Sequence, residues 1–167
     1  MTVPRDLPPG AGLLARAHRL AGEALLWLRA AFKAPTTLGV RLVAIDPEGR
    51  VMLVRHSYVP GWHLPGGAVD PGESALAAAL REAREEAGLE VAAPPRLLGL
   101  YRHPAGGRRD HVAVYVARAA QAAPPPRSLE ILAAGFFTPA SLPEGTTAAT
   151  RARIAEALGD AEPGSEW

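Results

Sequence analysis

Glu82, Glu85 and Glu86 are the residues of this chain best placed to do chemistry. They lie in Ser74 to Ala87, a stretch with helical patterning that Gly88 can close as a left-handed cap. On a helix the three side chains project within roughly 100° of one another, in its last turn and a half. Acidic side chains there oppose the helix dipole, at about 0.3–1 kcal/mol each when exposed. Their mutual repulsion adds roughly 0.2–0.5 kcal/mol per pair. A divalent cation reverses that sign, because Mg²⁺ takes oxygen ligands and binds through one or two carboxylates together with substrate phosphates. The competing reading is a solvated acidic face, softened by Arg81 pairing with Glu85 one turn away. Just upstream, Gly66-Gly67 offers backbone that a ligand or metal can approach closely, since no Cβ intervenes. Glu73 stands at the helix start.

The spacing is more specific than any one of these features. Gly67, then Glu73, then Arg81-Glu82-Ala83-Arg84-Glu85-Glu86-Ala87-Gly88-Leu89 resembles the complete Nudix box. Every fixed position matches. Ala83 and Leu89 fill the two positions that call for an aliphatic residue, and Gly61 to Gly67 is similar to that family's usual entry. The similarity extends over about Thr37 to Leu158. The resemblance implies a Mg²⁺-dependent hydrolase, with Mn²⁺ as a possible substitute. It implies metal binding by Glu82, Glu85, Glu86 and the carbonyl near Gly67, with Arg81 orienting the glutamates and Glu73 supporting. A nucleoside diphosphate joined to another moiety would be cut by an activated water into a nucleoside monophosphate and a phosphorylated fragment. The general base is a box glutamate, for which Glu85 is the candidate, or a later acid, Asp110 or Glu130. As a residue just after Gly106-Gly107, Asp110 reads first as a turn residue. The alternative to an enzyme is a domain of the same fold that senses a nucleotide metabolite without turnover.

Positioning these residues requires a strand-rich frame. Thr37 to Ile45 and Arg50 to Arg55 read as a hairpin around Asp46-Pro47-Glu48-Gly49. Trp62 to Gly67 reads as a short strand entering the glycine loop. Leu76, Leu80, Ala83 and Ala87 form the apolar stripe of the helix. Leu97 to His103 and His111 to Arg118 read as strands, Ala119 to Ser128 as a loop, and Ile131 to Thr138 as a strand. Pro139 to Leu142 is a short turn, and Thr147 to Leu158 a helix capped by Thr146 or Thr147. The expected class is α+β, a Nudix-type α/β/α sandwich with a mixed sheet. Leu13 to Lys33 adds an N-terminal amphipathic helix ended by Pro35. The expected divisions are residues 1–35 as an extension, 36–160 as the domain and 161–167 as a tail. The N-terminal helix reads as packing on the domain or on a second subunit, or as a basic helix lying on a membrane surface.

Composition narrows the function classes. A net charge of +1 gives no signal for bulk nucleic-acid binding. The chain has no cysteine, which removes disulfides, thiolate nucleophiles and cysteine zinc sites and fits a cytoplasmic location. Charges at Arg16, Arg19, Glu23 and Arg29 break up the N-terminal apolar run, so a membrane span of about 20 uncharged residues is not expected. Arg55, Arg102, His103, Arg108 and Arg109 are cations at strand ends or turns that could meet phosphates, though each taken alone reads first as a surface residue. Trp62 could stack on a base or fill the core. Pro104 is a hint toward the ADP-ribose-cleaving subgroup. The substrate itself stays open among ADP-ribose, damaged nucleoside triphosphates, nucleotide sugars and RNA ends, and a homodimer is the default assembly.

Overall fold

The computed structural model describes residues 36–103, 109–123 and 129–167. The expected N-terminal helix, Pro104, the Gly106-Gly107 turn, Arg108 and the Pro124-Pro125-Pro126 loop lie outside the described residues.

The described residues arrange six strands in one mixed sheet with two helices against it. The strands are β1 (Thr36–Ile45), β2 (Val51–His56), β3 (Leu89–Val91), β4 (Arg96–His103), β5 (Arg109–Gln121) and β6 (Ile131–Phe137). The helices are α1 (Ala75–Ala87), between β2 and β3, and α2 (Ala148–Leu158), after a 3₁₀ turn at Pro139–Ser141. Spatial order is β3-β5-β1-β2-β6, with β4 also pairing to β5. β1 and β5 run parallel from Thr36 opposite Arg109 to Ile45 opposite Arg118, and the other pairings are antiparallel. β5 is long enough to carry two strands on its far side, β4 along one part and β3 along the other.

A helix covers each face, as the expected sandwich requires. Val40, Leu42 and Ala44 of β1 pack with Ala78, Ala79, Ala83 and Ala87 of α1, while Val43 and Ile45 pack with Tyr101 and Ile154 of α2. Burial on both faces is why β1 reads as a nearly continuous apolar run. Both helices begin and end with the same devices. Ser74 accepts from the Ala77 N–H and Thr147 from the Thr150 N–H, while Gly88 and Gly159 close the C-termini at φ of 61° and 86°. Among the described residues no helix is long and apolar enough to cross a membrane.

Several details depart from the sequence reading. Trp62 to Gly67 forms isolated bridges rather than a strand. β3 is a three-residue strand, too short to leave a periodic signal, and it pairs with Ala119, Ala120 and Gln121, which read as loop. The buried face of α1 is Ala78, Ala79, Ala83, Glu86 and Ala87, with Leu76 and Leu80 only half-buried. Alanines let the helix sit close to the sheet, and the face turns toward the glutamates. The residues read as a C-terminal tail run beside β4. The Arg102 N–H donates to the Ser165 carbonyl (2.8 Å) and the Trp167 N–H to the Arg102 carbonyl (2.9 Å). Arg153 stacks over Tyr101 with 3.9 Å between guanidinium and ring centre, and donates to the Glu166 carbonyl (2.8 Å). Glu156 accepts from Arg153, Tyr101 Oη and the Gly164 N–H. This buried network anchors the last residues to the core.

Candidate active site

The glycine loop is wedged between two strands. β1 and β2 meet at Ile45 and Val51 beside their hairpin. Farther along, the loop takes up the hydrogen bonds of both. Val54 exchanges backbone hydrogen bonds with His63, each 2.9 Å. Leu42 and Val40 donate to the carbonyls of Pro65 (2.9 Å) and Gly67 (2.8 Å). The half-buried Arg41 reaches the same loop and donates through Nη1 to the carbonyls of Leu64 and Gly66. Gly66 has φ 144°, and a Cβ there would overlap the Val40 carbonyl oxygen.

The wedge carries two carboxylates of α1. Glu86 is only 8% exposed, and its Oε2 accepts from the Gly66 N–H at 2.8 Å. Glu82 lies directly on Gly67: a Cβ at that glycine would come within 2.5 Å of Glu82 Oε1. Gly67→Ala is therefore expected to fold, because the obstruction is the end of a flexible side chain. It should nevertheless displace the Glu82 carboxylate and weaken Mn²⁺ binding about tenfold or more. Mn²⁺ titration followed by electron paramagnetic resonance checks this, and an unchanged affinity would rule out Gly67 as the seat of Glu82.

Arg81 ties the acidic residues together. It makes two hydrogen bonds to Glu73 (3.1 and 3.0 Å), one to Glu82 (2.8 Å) and one to Glu85 (3.2 Å). It also donates to the Ala68 carbonyl at 3.2 Å. Hydrogen bonds to Glu73 and Glu82 raise the Arg81 pKa well above its ordinary value, and those from Arg81 hold Glu73 below the usual carboxylate range. The Glu85 side chain, 59% exposed, stands at the rim.

Glu86 has the opposite electrostatics. Burial pushes its carboxyl up to about 7, with Glu82 and Glu130 adding to the effect and the Gly66 N–H and Arg41 opposing it. His56, at the end of β2, is buried beside it, with Nε2 3.6 Å from Glu86 Oε1 and no hydrogen-bond partner on either ring nitrogen. Such proximity favours an ion pair, yet burial, with Arg41 and His63 contributing, holds His56 down at about 4. Desolvation outweighs attraction for both groups, so each is driven toward its neutral form.

The remaining sequence candidates separate into two sets. His103 and Asp110 line a cavity of about 350 Å³ that also includes Thr37, Gly39, Arg41, Gly67 and Trp167. Asp110 is a strand residue of β5, opposite Thr37 and His103, and accepts from Thr37 Oγ1; this corrects its reading as a turn residue. The others lie elsewhere. Arg102 is exposed and paired with Glu166 at 2.9 Å. Trp62 sits edge-on to Phe137 at 5.0 Å within the core cluster, with the Arg55 guanidinium 5.8 Å from its ring. Arg109 is described by its backbone alone, which pairs with Thr36. Glu130 is near enough to Glu86 and Tyr58 to raise both of their pKa values. Sequence reasoning missed Arg41, His56 and Trp167. Of these only Arg41 left a signal, as a lone cation inside an apolar strand.

Among the described residues no three carboxylate or imidazole groups close into a ready-made metal cluster. Arg81 itself engages Glu82 and Glu85. Still, a buried carboxylate and a second one seated on bare glycine backbone are oxygen donors of the kind Mg²⁺ takes alongside phosphate oxygens, so the residues present fit that ion.

The sequence and fold also match known proteins. Residues 35–158 match the model of the NUDIX domain. A curated relative in Bacillus subtilis (strain 168), "Putative 8-oxo-dGTP diphosphatase", is 43% identical over 68 residues. That stretch is 41% of this chain and 45% of the relative, so the chain spans about half the length of the curated relative it matches. The crystal structure of a MutT NUDIX hydrolase from Burkholderia pseudomallei superposes with a TM-score of 0.61 at 31% identity, covering 73% of this chain and 98% of that one. A MutT protein from Methanosarcina mazei Go1 shares the fold, with a TM-score of 0.64 at 21% identity over 79% of this chain and 99% of its own. The family match takes in most of the chain and the whole glycine-loop and helix unit, and this chain belongs to the Nudix family.

Proposed function

We propose that the protein is a Mg²⁺-dependent hydrolase that cleaves a diphosphate linkage in a nucleotide. The observation that carries this reading is the placement of Glu82 on Gly67 and of Glu86 on the Gly66 N–H, two carboxylates against one stretch of bare glycine backbone. Glu82, Glu86 and the Gly67 carbonyl would hold the cation, with Glu85 completing the set from the rim. A bound Mg²⁺ supplies Lewis acidity, lowering the pKa of water and neutralising diphosphate charge. Arg81 fixes Glu82 and Glu85 relative to one another, and Glu73 fixes Arg81. Glu85, the exposed glutamate, takes the proton of the attacking water. The water oxygen forms a bond to phosphorus as the anhydride P–O bond breaks, and the departing phosphate keeps the electron pair. The name of the Bacillus relative makes 8-oxo-dGTP the first substrate to assay.

The test is a panel of nucleoside triphosphates including 8-oxo-dGTP, dinucleotides and nucleotide sugars at millimolar Mg²⁺. At least one should yield a nucleoside monophosphate, and chelation should stop the reaction. Binding across the panel with no product would overturn the enzyme reading in favour of a sensor.

A further inference from the structure

The cavity beside Gly67 has an unusual outer wall. Its floor is the exposed end of the β1–β5 pair, where Thr37 faces Asp110 and Gly39 faces Val112. Gly39 has no side chain, and its Cα points toward the Gly67 carbonyl: a Cβ there would stand 3.4 Å from that oxygen. The cavity therefore reaches Gly67, the glycine on which Glu82 lies. Trp167 supplies the wall. It is held by its own N–H on the Arg102 carbonyl and packs edge-on to Tyr101, 6.3 Å between ring centres, with His103 6.5 Å away. The anchoring network of Arg153 and Glu156 fixes the segment that delivers it.

We propose that this cavity, resting on the hydrolase reading above, takes the base of the nucleotide, that Trp167 stacks on that base with His103 against its edge, and that Asp110 selects guanine by accepting from its adjacent ring N1–H and exocyclic amine, a pair of donors that no pyrimidine presents. A volume of about 350 Å³ is at the lower end of the range for small-molecule pockets and suits a nucleoside. The cavity offers two flat side chains, a carboxylate acceptor and the Thr37 hydroxyl, which is the complement of a planar heterocycle bearing donors. Neither stacking nor amine recognition takes part in bond cleavage, so these residues govern binding and specificity, not the chemical step.

The experiment measures KM and kcat of wild type, Trp167→Ala, Trp167→Phe, His103→Ala and Asp110→Asn on purine and pyrimidine nucleoside triphosphates. In parallel, calorimetry in EDTA measures binding of GMP and CMP to the same proteins. Stacking on one aromatic residue corresponds to roughly a 5- to 150-fold affinity change. Trp167→Ala should raise KM and the GMP dissociation constant by about tenfold or more, with kcat within about threefold, and Trp167→Phe should restore most of the loss. Asp110→Asn should narrow the preference for GMP over CMP. Unchanged KM, GMP affinity and base preference in Trp167→Ala would overturn the proposal while leaving the hydrolase intact. Should Trp167→Ala fail to fold, unchanged GMP affinity in His103→Ala together with an unchanged preference in Asp110→Asn would overturn it equally. Trp167-dependent GMP binding without turnover of any substrate would instead sink the hydrolase and leave the base site standing.

Discussion

Glu82→Gln and Glu86→Gln should each lower Mg²⁺-dependent turnover by on the order of 10²–10³-fold or more, with the fold retained. The two carboxylates sit against the glycine backbone from which the cation would be held. Replacing either oxygen pair by an amide removes a negative charge and leaves shape nearly unchanged. Glutamine at 86 can still accept from the Gly66 N–H. At 82 it can still accept from Arg81, which retains Glu73. Circular dichroism should therefore be unaltered while Mn²⁺ affinity falls. Glu85→Gln is the contrast. Its carboxylate is mostly exposed, so a base at that position predicts a drop in kcat of about 10²-fold or more with a smaller change in Mn²⁺ affinity. Near-normal turnover by both Glu82→Gln and Glu86→Gln on a confirmed substrate would remove these residues from the mechanism.

The sequence made some of this arrangement legible for local reasons. The spacing from Gly67 to Glu86 survives because one short loop and one capped helix fix it. Ser74 and Gly88 act within a turn of their own positions, so their roles are readable without a fold. The Asp46 to Gly49 turn is local as well: the Asp46 N–H donates to the Arg50 carbonyl at 3.0 Å, and Asp46 accepts from the Arg50 N–H at 2.7 Å. What could not be read depends on partners distant in sequence. The α1 stripe through Leu76 and Leu80 follows side-chain size, whereas the sheet selects the alanines that allow close approach. Ala119 to Gln121 has weak strand propensity and becomes ladder only because β3 lies alongside. Trp167 has no motif around it, and its place in the cavity that Gly67 also lines follows from contacts with Arg102, Tyr101 and Arg153. His56 reads as an ordinary strand end until Glu86 is seen beside it.

That pairing of two buried titratable groups gives the second large effect. The folded Glu86 carboxyl is raised from 4.5 to about 7, so the stability it contributes is fully present below about pH 4.5 and is lost as pH rises through 7. The cost at pH 8 is about 3 kcal/mol. His56 has the opposite sign. Its folded value is lowered from 6.5 to about 4, so its contribution is present above 6.5 and is lost as pH falls through 4. In the metal-free protein the two slopes oppose one another between about pH 4.5 and 6.5, and wild-type stability should be nearly level there. Only the loss from Glu86 continues toward pH 7. Glu86→Gln leaves the His56 slope alone. In EDTA the variant should match wild type near pH 4.5 and melt about 5–10 °C higher at pH 8. Saturating Mg²⁺ should reverse the order, because a cation that requires the ionised carboxylate stabilises wild type and has little hold on the glutamine variant. The same linkage makes Mg²⁺ affinity fall as pH drops below 7, by up to about tenfold per pH unit. Thermal melts across pH 4.5–8, with and without Mg²⁺, measure both statements. A variant no more stable than wild type at pH 8 in EDTA would mean that Glu86 ionises freely, and the buried-carboxylate account of this site would fail with it.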